Sequence, residues 1–444
     1  MTPHEILDNL SEALSGRKWL ANVWLEEGLR AEKPGEGPSE LERWNSGFVT
    51  LEVELSPGKA GFAEAPAGEG GFDPPGLLER ALASGAVMGK DKFRVLPEEI
   101  ETPPEIDLGI EDGEWPRLTA ELAEELAEGV RRACLGFDRR VFSARKPAFE
   151  GSRTLRAVAV EGSRVYWTST EYSLSVEGAA RKGKSAESAW ASRDFRKLSL
   201  ADPASVGEEA ARRACELLGG KSAPTGSFPA LIDARVAGEF LEVLAPSLLG
   251  RNKQKGKSIF RGAPGESVLA KAVTIVDDGL LYGGMDTQPV DEEGSARRRN
   301  TCIEEGVLRA FLYDRASGLR EGRGSTGNGS GSPGSAVSPD VTNFYIAPGT
   351  GGSPEELLAA MGRGLWVREV MGAHTIDPVS GDYSLGCSGL WVEGGKVSHP
   401  VTGAAIAGNI LELFRRVEGV GSDLTFHGSL GAPSLLVGGM DISG

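Results

Sequence analysis

The spacing of apolar side chains separates predicted helices from predicted strands. Apolar positions recur every three or four residues over Leu118–Leu135, which is the period of a helix with one buried face. Phe48–Leu55 instead alternates apolar with acidic residues, which is typical of a strand with one face in solvent. The same patterns predict further helices over residues 4–15, 75–83, 204–218, 236–250 and 354–363, further strands over residues 58–64, 153–161, 164–170 and 172–180, and a helical or mixed element over residues 18–30.

The order of these elements predicts an α+β protein in two parts. In residues 1–220 we expect helices packed on antiparallel strands, as two sub-modules at about 1–100 and 117–220 with an acidic, proline-bearing linker at 101–116. A break in composition follows, and residues 225–444 contain many short runs between glycine-rich turns. They predict a larger, mainly antiparallel β domain. Within it, Gly322–Ser338 is rich enough in glycine and serine to predict a loop.

The overall composition excludes several classes of protein. The chain has 444 residues, and its 48 Lys and Arg against 64 Asp and Glu give a net charge of −16. Nucleic-acid-binding proteins carry a basic footprint, so this balance argues against direct contact with nucleic acid or with anionic membranes. The 40% hydrophobic content is enough to build a core. The 62 glycines show no Gly-X-Y period, which excludes collagen and favours a turn-rich β protein.

The sequence also predicts a cytoplasmic location. The first residues lack the basic and apolar regions of a signal peptide, and no window reaches the ~18 uninterrupted apolar residues of a membrane span. The cysteines lie far apart without a Cys-x-x-Cys pair, which indicates reduced thiols: Cys134, Cys215, Cys302 and Cys387.

Histidine is scarce, and this limits metal chemistry. The only His-Glu pair, at residues 4–5, has no second histidine at a ligand spacing. His374, His399 and His427 occur in the second half together with Cys387. Their spacings match no ligand motif. We therefore expect these residues at separate positions in loops and strands, with a zinc site built from the four of them as the alternative.

The other polar motifs favour surface structure. Asp277–Gly279 and Asp291–Gly294 lack the ligand alternation of a calcium loop and are predicted to be solvated turns. Arg297–Asn300 is predicted to be a salt-bridged surface, with recognition of an acidic group as the alternative. Ser388 lacks the strand-turn-helix context of a nucleophile elbow.

Several strings in the second half, taken in order, resemble the C-terminal domain of the TldD/PmbA family. They are Val290–Arg315, Ser325–Asn328, Asn343–Gly349, Met371–Gly389, Gly408–Asn409 and Ser422–Gly444. Weaker signals at residues 58–61, at 169–180 and in the helix after Pro75 extend the resemblance over essentially the whole chain.

The resemblance is to the PmbA/TldE branch of that family. The TldD branch carries a zinc-binding His-Glu-x-x-x-His motif on a helix that corresponds to residues 236–250 here. The two histidines and the glutamate of that motif correspond to Glu242, Ser247 and Val243. Val243 cannot activate water, and the TldD-type cysteine ligand near the C-terminus has no counterpart. The resemblance therefore implies no catalytic residue and no zinc on this chain.

What the resemblance implies is a noncatalytic subunit of a cytosolic zinc metalloprotease complex that degrades or trims unfolded peptides, with zinc on a TldD-type partner. Self-association into a peptide-binding homodimer and a hydrolase with its own metal site are the alternatives. Family-like strings in glycine-rich turns mark the candidate peptide-channel or interface positions: Thr326, Gly327, Asn328, Ser384, Gly386, Ser388, Gly389 and Asn409.

Overall fold

The computed structural model describes residues 1–35, 37–67, 71–260, 262–331 and 336–444. The predicted loop at Gly322–Ser338 therefore lies partly outside the described residues. Its described part contains the start of a short two-stranded ribbon. Within the described residues, no helix combines the length and the apolar character that crossing a bilayer requires.

The first half of the chain folds as helices on one antiparallel sheet. Its helices are α1 (Pro3–Ala13), α2 (Pro74–Val87), α3 (Ala120–Gly136) and α4 (Pro203–Glu216). Its strands are β1 (Trp19–Glu32), β2 (Glu40–Ser56), β3 (Lys59–Pro66), β4 (Val141–Val160), β5 (Ser163–Lys182) and β6 (Ser185–Phe195). Short 3₁₀ turns cover Trp115–Arg117 and Leu198–Leu200.

Side-chain caps fix where these helices begin. Thr2, Asp73, Thr119 and Asp202 each accept a hydrogen bond from a backbone N–H in the first turn of the following helix. Such a bond satisfies one of the N–H groups that a helix leaves without an internal partner. Proline occupies an early position of α1, α2 and α4, where its missing N–H costs nothing.

The six strands form one continuous sheet in the order β3-β2-β1-β4-β5-β6. Both predicted sub-modules contribute to it, because β1 pairs with β4 along almost its whole length. Segment 101–116 packs against the sheet: the buried Asp112 carboxylate accepts hydrogen bonds from the Tyr172 hydroxyl, at 3.0 Å, and from the Leu198 N–H, at 2.7 Å.

The prediction of a helical or mixed element over residues 18–30 is wrong, because residues 19–30 lie in strand β1. Trp19, Ala21 and Val23 pack under the helices, whereas Leu20 lies in a separate cluster on the opposite face. A strand buried on both faces has consecutive apolar residues instead of a strict alternation, so its pattern does not distinguish it from a helix.

The second half is mainly β structure. Its helices are α5 (Ala234–Leu244), α6 (Gly250–Gln254), α7 (Arg315–Arg320), α8 (Pro354–Met361) and α9 (Ile410–Arg415), with 3₁₀ turns at Ala245–Leu248 and Ala373–Thr375. Its strands are β7 (Gly226–Ile232), β8 (Ile275–Asp278), β9 (Arg299–Glu304), β10 (Val307–Leu308), β11 (Gly329–Ser330), β12 (Ser338–Pro339), β13 (Phe344–Ile346), β14 (Arg363–Met371), β15 (Asp382–Glu393), β16 (Lys396–Asn409), β17 (Val417–Val420), β18 (Thr425–His427), β19 (Leu430–Ala432) and β20 (Leu435–Ser443).

The larger of these sheets closes on itself. Its order is β16-β15-β14-β7-β20-β17, and β16 also pairs with β20. A second sheet has the order β10-β9-β8-β13-β19-β18. Most pairs are antiparallel, with β7–β14 and β13–β19 as parallel exceptions. The predicted α+β class, with a helix-and-antiparallel-sheet first half and a β-rich second half, is confirmed.

A buried ion network joins the two halves. Arg156 of β4 contacts Glu292 at 2.7 Å, and the same carboxylate lies 3.4 Å from Arg297. The Arg156 guanidinium lies over the rings of Trp24 and Trp167, at 4.6 and 5.2 Å from their centres. Both tryptophans pair directly with Arg156 in the sheet register, so three adjacent strands build this site.

The acidic segments predicted to be solvated turns are instead buried. Asp277 and Asp291 are both 0% exposed, and Arg297 of the predicted surface run is 3% exposed. The Asp291 carboxylate accepts hydrogen bonds from the backbone N–H groups of Ser295 and Gly329, both at 2.8 Å. Charged motifs look the same in sequence whether water or protein groups solvate them, which is why the pattern was misleading.

Replacing Arg297 by methionine removes one of the two cations that compensate the buried Glu292. We expect R297M to lower the free energy of unfolding by about 3 kcal/mol, because a buried carboxylate loses a partner. Urea unfolding followed by fluorescence measures the change. The matched control is R298M at the exposed neighbour, for which we expect a loss of about 1 kcal/mol or less. Equal effects of the two substitutions would contradict the role of the network.

Burial raises the pKa of Asp277 to about 6, well above its ordinary value, despite hydrogen bonds from Thr342 and Asn328. The folded protein therefore holds this proton more tightly than the unfolded chain, and stability falls as the pH rises between about 4 and 6. Relative to D277N, the wild type should lose about 3 kcal/mol between pH 4 and pH 7. Urea unfolding at several pH values tests this. A wild type that gains stability relative to D277N as the pH rises would refute the assignment.

Candidate functional site

Helix α5 and the 3₁₀ turn after it carry the positions that were predicted from the sequence to correspond to the zinc motif of the TldD branch. Asp233 begins the helix by accepting a hydrogen bond from the Arg235 N–H at 3.3 Å. One face is buried in the main core of the second half through Val236, Phe240 and Leu244. Leu244 is the last residue of the α-helix, which continues as a 3₁₀ turn over Ala245–Leu248. The single helix predicted over residues 236–250 is therefore shorter, because proline at position 246 cannot donate the hydrogen bond that would extend it.

The three motif positions have separate structural roles. Glu242 is exposed, and Val243 packs against the core. Ser247 is fully buried; its hydroxyl accepts a hydrogen bond from the Ile259 N–H at 3.2 Å, and its carbonyl accepts one from the Ser258 hydroxyl at 2.6 Å. Of these three side chains only Glu242 could coordinate a metal, and one exposed carboxylate does not supply the three protein ligands of a catalytic zinc site, so the set does not fit that ion.

The alternative metal residues are not brought together. His374 is exposed in a 3₁₀ turn, His399 lies opposite Trp391 on β16, and Cys387 is fully buried in β15. Within the described residues, no group of three or more His, Cys, Asp or Glu side chains could hold a metal ion. Burial raises the pKa of the Cys387 thiol to about 12, which keeps it protonated and a poor metal ligand.

His427 lies on β18, which packs against α5. Burial lowers its pKa, and the positive charges of Arg235 and Arg213 lower it further. The same two guanidinium groups oppose a metal cation at this position. The positive charge of these two neighbours, and not the protonation state of the imidazole, is what disfavours zinc at His427.

A cleft of about 400 Å³ runs beside α5, between the two halves of the chain. Trp190 of β6 lines one side, and Arg235 and Glu239 of α5 line the other with Glu369 of β14. Arg235 donates a hydrogen bond to the Trp190 carbonyl at 2.8 Å. Burial raises the pKa of both Glu239 and Glu369. The cleft thus presents polar side chains of both charge signs, and burial weakens the acidity of its carboxyl groups.

A second buried ion network forms the base of this cleft. Arg368 of β14 pairs with Asp233 and, at 3.2 Å, with Glu216 of α4. Arg213 of α4 donates to the Arg368 carbonyl at 2.8 Å. These residues were not predicted from the sequence. The feature that could have indicated them is the charged pair Arg368–Glu369 within the largely apolar strand β14.

The eight candidate channel positions fall into three groups. Asn328 is fully buried: its side chain donates to Asp277 at 2.8 Å and accepts from Thr326 at 2.7 Å. Gly327, at φ +76°, lies so close to Ala296 that a Cβ would be 2.5 Å from that residue's carbonyl oxygen. The three residues Thr326–Asn328 therefore contact interior groups of the second half and stabilise its fold.

The other five positions lie on two neighbouring strands. Ser384, Gly386 and Ser388 are the less buried positions of β15, alternating with buried Tyr383, Leu385 and Cys387. Gly389 is buried, where a Cβ would lie 2.1 Å from the Trp366 carbonyl oxygen. Asn409 pairs with Asp382 in the register and caps α9 through a hydrogen bond from the Leu411 N–H at 3.0 Å. Ser384 also lines a hollow of about 340 Å³ with residues of β16 and β20.

Known proteins place this architecture in a class. The PmbA/TldA metallopeptidase central domain matches residues 113–218, and the PmbA/TldA metallopeptidase C-terminal domain matches residues 225–444. The chain is therefore of the metallopeptidase-related class that these domains define. Metalloprotease PmbA of Escherichia coli O157:H7 is 30% identical over 324 residues, covering 72% of this chain and 70% of that protein. The chain belongs to the PmbA/TldD family.

Solved structures share the complete fold. A Thermotoga maritima protein, described as a candidate modulator of a DNA gyrase, superposes with a TM-score of 0.90 at 26% identity, covering 100% of both chains. TldE from Thermococcus kodakarensis superposes with a TM-score of 0.87 at 19% identity, covering 99% of both chains. The predicted family is confirmed, and the fold extends over the full length of both neighbours.

The environment of His427 gives a direct spectroscopic prediction. Its NMR titration midpoint should lie below the ordinary histidine value of about 6.5, because burial and nearby arginines disfavour the imidazolium. Substituting Arg235 by methionine should raise the midpoint, since one positive neighbour is removed. The exposed Lys271→Met variant should leave it unchanged. A midpoint above about 7, or one insensitive to R235M, would contradict the cationic environment described for His427.

Proposed function

We propose that this chain is a noncatalytic subunit of a cytosolic TldD/TldE-type zinc metalloprotease complex that degrades or trims unfolded peptides. The observation that carries the proposal is the state of helix α5. Of its motif positions, Glu242 is exposed to solvent and Val243 packs against the core. Ser247, in the 3₁₀ turn that follows, forms hydrogen bonds with residues 258 and 259. In this proposal zinc and the catalytic base belong to a TldD-type partner.

The surroundings of α5 support the same division of labour. Arg235 and Arg213 bring positive charge to the place where β18 meets the helix, and they pair with protein carboxylates instead of leaving room for a cation. The net charge of −16 gives no support to direct contact with DNA, so the gyrase-related name of the Thermotoga maritima neighbour is not the function that we propose.

Peptide handling is supported by strands and glycines near the surface. The exposed Ser384 side chain borders the hollow between β15, β16 and β20, and an extended peptide can add to accessible strand positions. Ser384, Gly386, Ser388 and Asn409 remain candidate channel or interface positions. For the half-buried Thr326 and the buried Gly327, Asn328 and Gly389, a role in the channel would act through the shape of the interior.

Co-expression with the TldD-type protein of the same source tests the proposal. We expect the two chains to elute together and to contain zinc. They should cleave an unfolded peptide in a chelator-sensitive manner, whereas this chain alone should be inactive. A matched experiment with the partner's zinc-binding histidines replaced should abolish the activity without separating the chains.

Two results would contradict the proposal. If the chains elute separately and the partner's activity is the same with and without this chain, there is no functional complex; a dimer of this chain that binds peptide would then favour the stand-alone homodimer. If the isolated chain itself cleaves peptides in a chelator-sensitive manner, it is a hydrolase in its own right.

A further inference from the structure

Another cleft lies away from α5, on a different part of the boundary between the two halves. It has a volume of about 720 Å³. Segment 88–97 and the start of β1 form one side, and helices α6 and α7 form the other. We refer to it as the α6–α7 cleft. Neither the zinc-motif positions nor the candidate channel positions line it.

The charged groups inside the α6–α7 cleft largely neutralise one another. Arg94 pairs with Glu52 at 3.0 Å, and Arg320 pairs with Asp91. Asp314 caps α7, where its carboxylate accepts a hydrogen bond from the Ser317 N–H at 2.7 Å. The two ion pairs cancel, whereas Asp314 has no cationic partner among the described residues and keeps its negative charge.

Two cations at the mouth remain uncompensated. Arg251 and Lys255 line the cleft and are exposed, and within the described part of the chain neither forms an ion pair. Each positive charge destabilises the other: the pKa of Lys255 is lowered, with Arg251 as the largest cause. This concentration of positive charge stands out in a chain of net charge −16. An anionic group between the two side chains would relieve the repulsion.

The floor of the cleft carries the carboxyl group of Glu293. It is partly accessible and accepts a hydrogen bond from the Arg315 N–H at 2.6 Å. Burial and the neighbouring Asp291 raise the pKa of Glu293 well above its ordinary range. This shift weakens the repulsion between Glu293 and an anion at the mouth, where the two cations lie.

The cleft also offers apolar surface. Met88 and Val95 line it and are 46% and 37% exposed, so they give the cleft an accessible apolar wall. Phe93 lies beside them, with the Arg320 guanidinium 5.2 Å from its ring centre. A ligand that fills this cleft therefore has apolar side chains as well as negative charge.

We infer that the α6–α7 cleft binds an acidic peptide segment, with its carboxylates at Arg251 and Lys255 and its apolar side chains against Met88 and Val95. This inference deepens the proposed function, on which it rests, because it names the chemistry of peptide that the subunit selects. A nucleic-acid phosphate would also meet the two cations, but it has no use for the apolar wall.

Fluorescence anisotropy with the isolated full-length chain tests the inference. The probe is a short fluorescein-labelled peptide of alternating Glu and Leu, and its matched control has Gln in place of Glu. We expect the Glu peptide to bind more tightly, with an affinity that falls as salt is added. The charge-reversed variant R251E/K255E should weaken its binding by about tenfold or more. Both substituted positions are exposed, so the variant should fold, which circular dichroism verifies.

The control variant K182E/K184E makes the same charge change at exposed lysines in the β5–β6 turn, outside the α6–α7 cleft. It should bind the Glu peptide like the wild type. Equal affinities for the Glu and Gln peptides, equal losses in the two variants, or a preference for an oligothymidylate over the Glu peptide would each overturn the inference.

Failure here is distinguishable from failure of the proposed complex. The binding assay uses this chain alone, whereas the complex is tested by co-elution and zinc-dependent cleavage. If R251E/K255E still co-elutes with the TldD-type partner and all binding arms are negative, only the peptide selectivity is lost from the account.

Discussion

Glu292 holds the two halves of the molecule together, because its carboxylate pairs with Arg156 of the N-terminal sheet and with Arg297 of the C-terminal half. Burying charges costs several kcal/mol each unless all of them are compensated. The two tryptophans beside Arg156 and the backbone carbonyl of Gly327 beside Arg297 add to that compensation, whereas the buried Arg297 Nε has no hydrogen-bond partner among the described residues. The network therefore favours the observed relative position of the halves, on which both interdomain clefts depend.

Helix α5 is fixed in the structure by side-chain packing and by ion pairs of its neighbours. In this chain the helix keeps its apolar face in the core, while the motif positions serve packing and the immobilisation of residues 258–259. The arginines around it pair with Asp233 and Glu216. These contacts stabilise the fold without a metal ion, which is consistent with a subunit that shapes a peptide site for its partner.

Sequence patterns predicted the α+β class, most helices and the family. The spacing of apolar residues correctly predicted helices α3 and α4, each of which has one solvent-exposed face. It did not identify strand β1, because both faces of that strand are buried. Local polarity predicted solvated turns at Asp277 and Asp291. These carboxylates are instead buried, and each accepts a hydrogen bond from a backbone N–H of a segment distant in sequence. The clefts could not be predicted, because residues such as Trp190 and Arg235 meet only after long-range folding.

We propose that helix α5 of this chain packs against the core and does not bind zinc. Native mass spectrometry of the isolated, metal-stripped chain, titrated with zinc, tests it most directly. The account predicts no tightly bound zinc, because His374, Cys387, His399 and His427 do not converge and α5 offers no imidazole ligand. A stoichiometric zinc ion that is lost on substitution of Glu242 or His427 would contradict it.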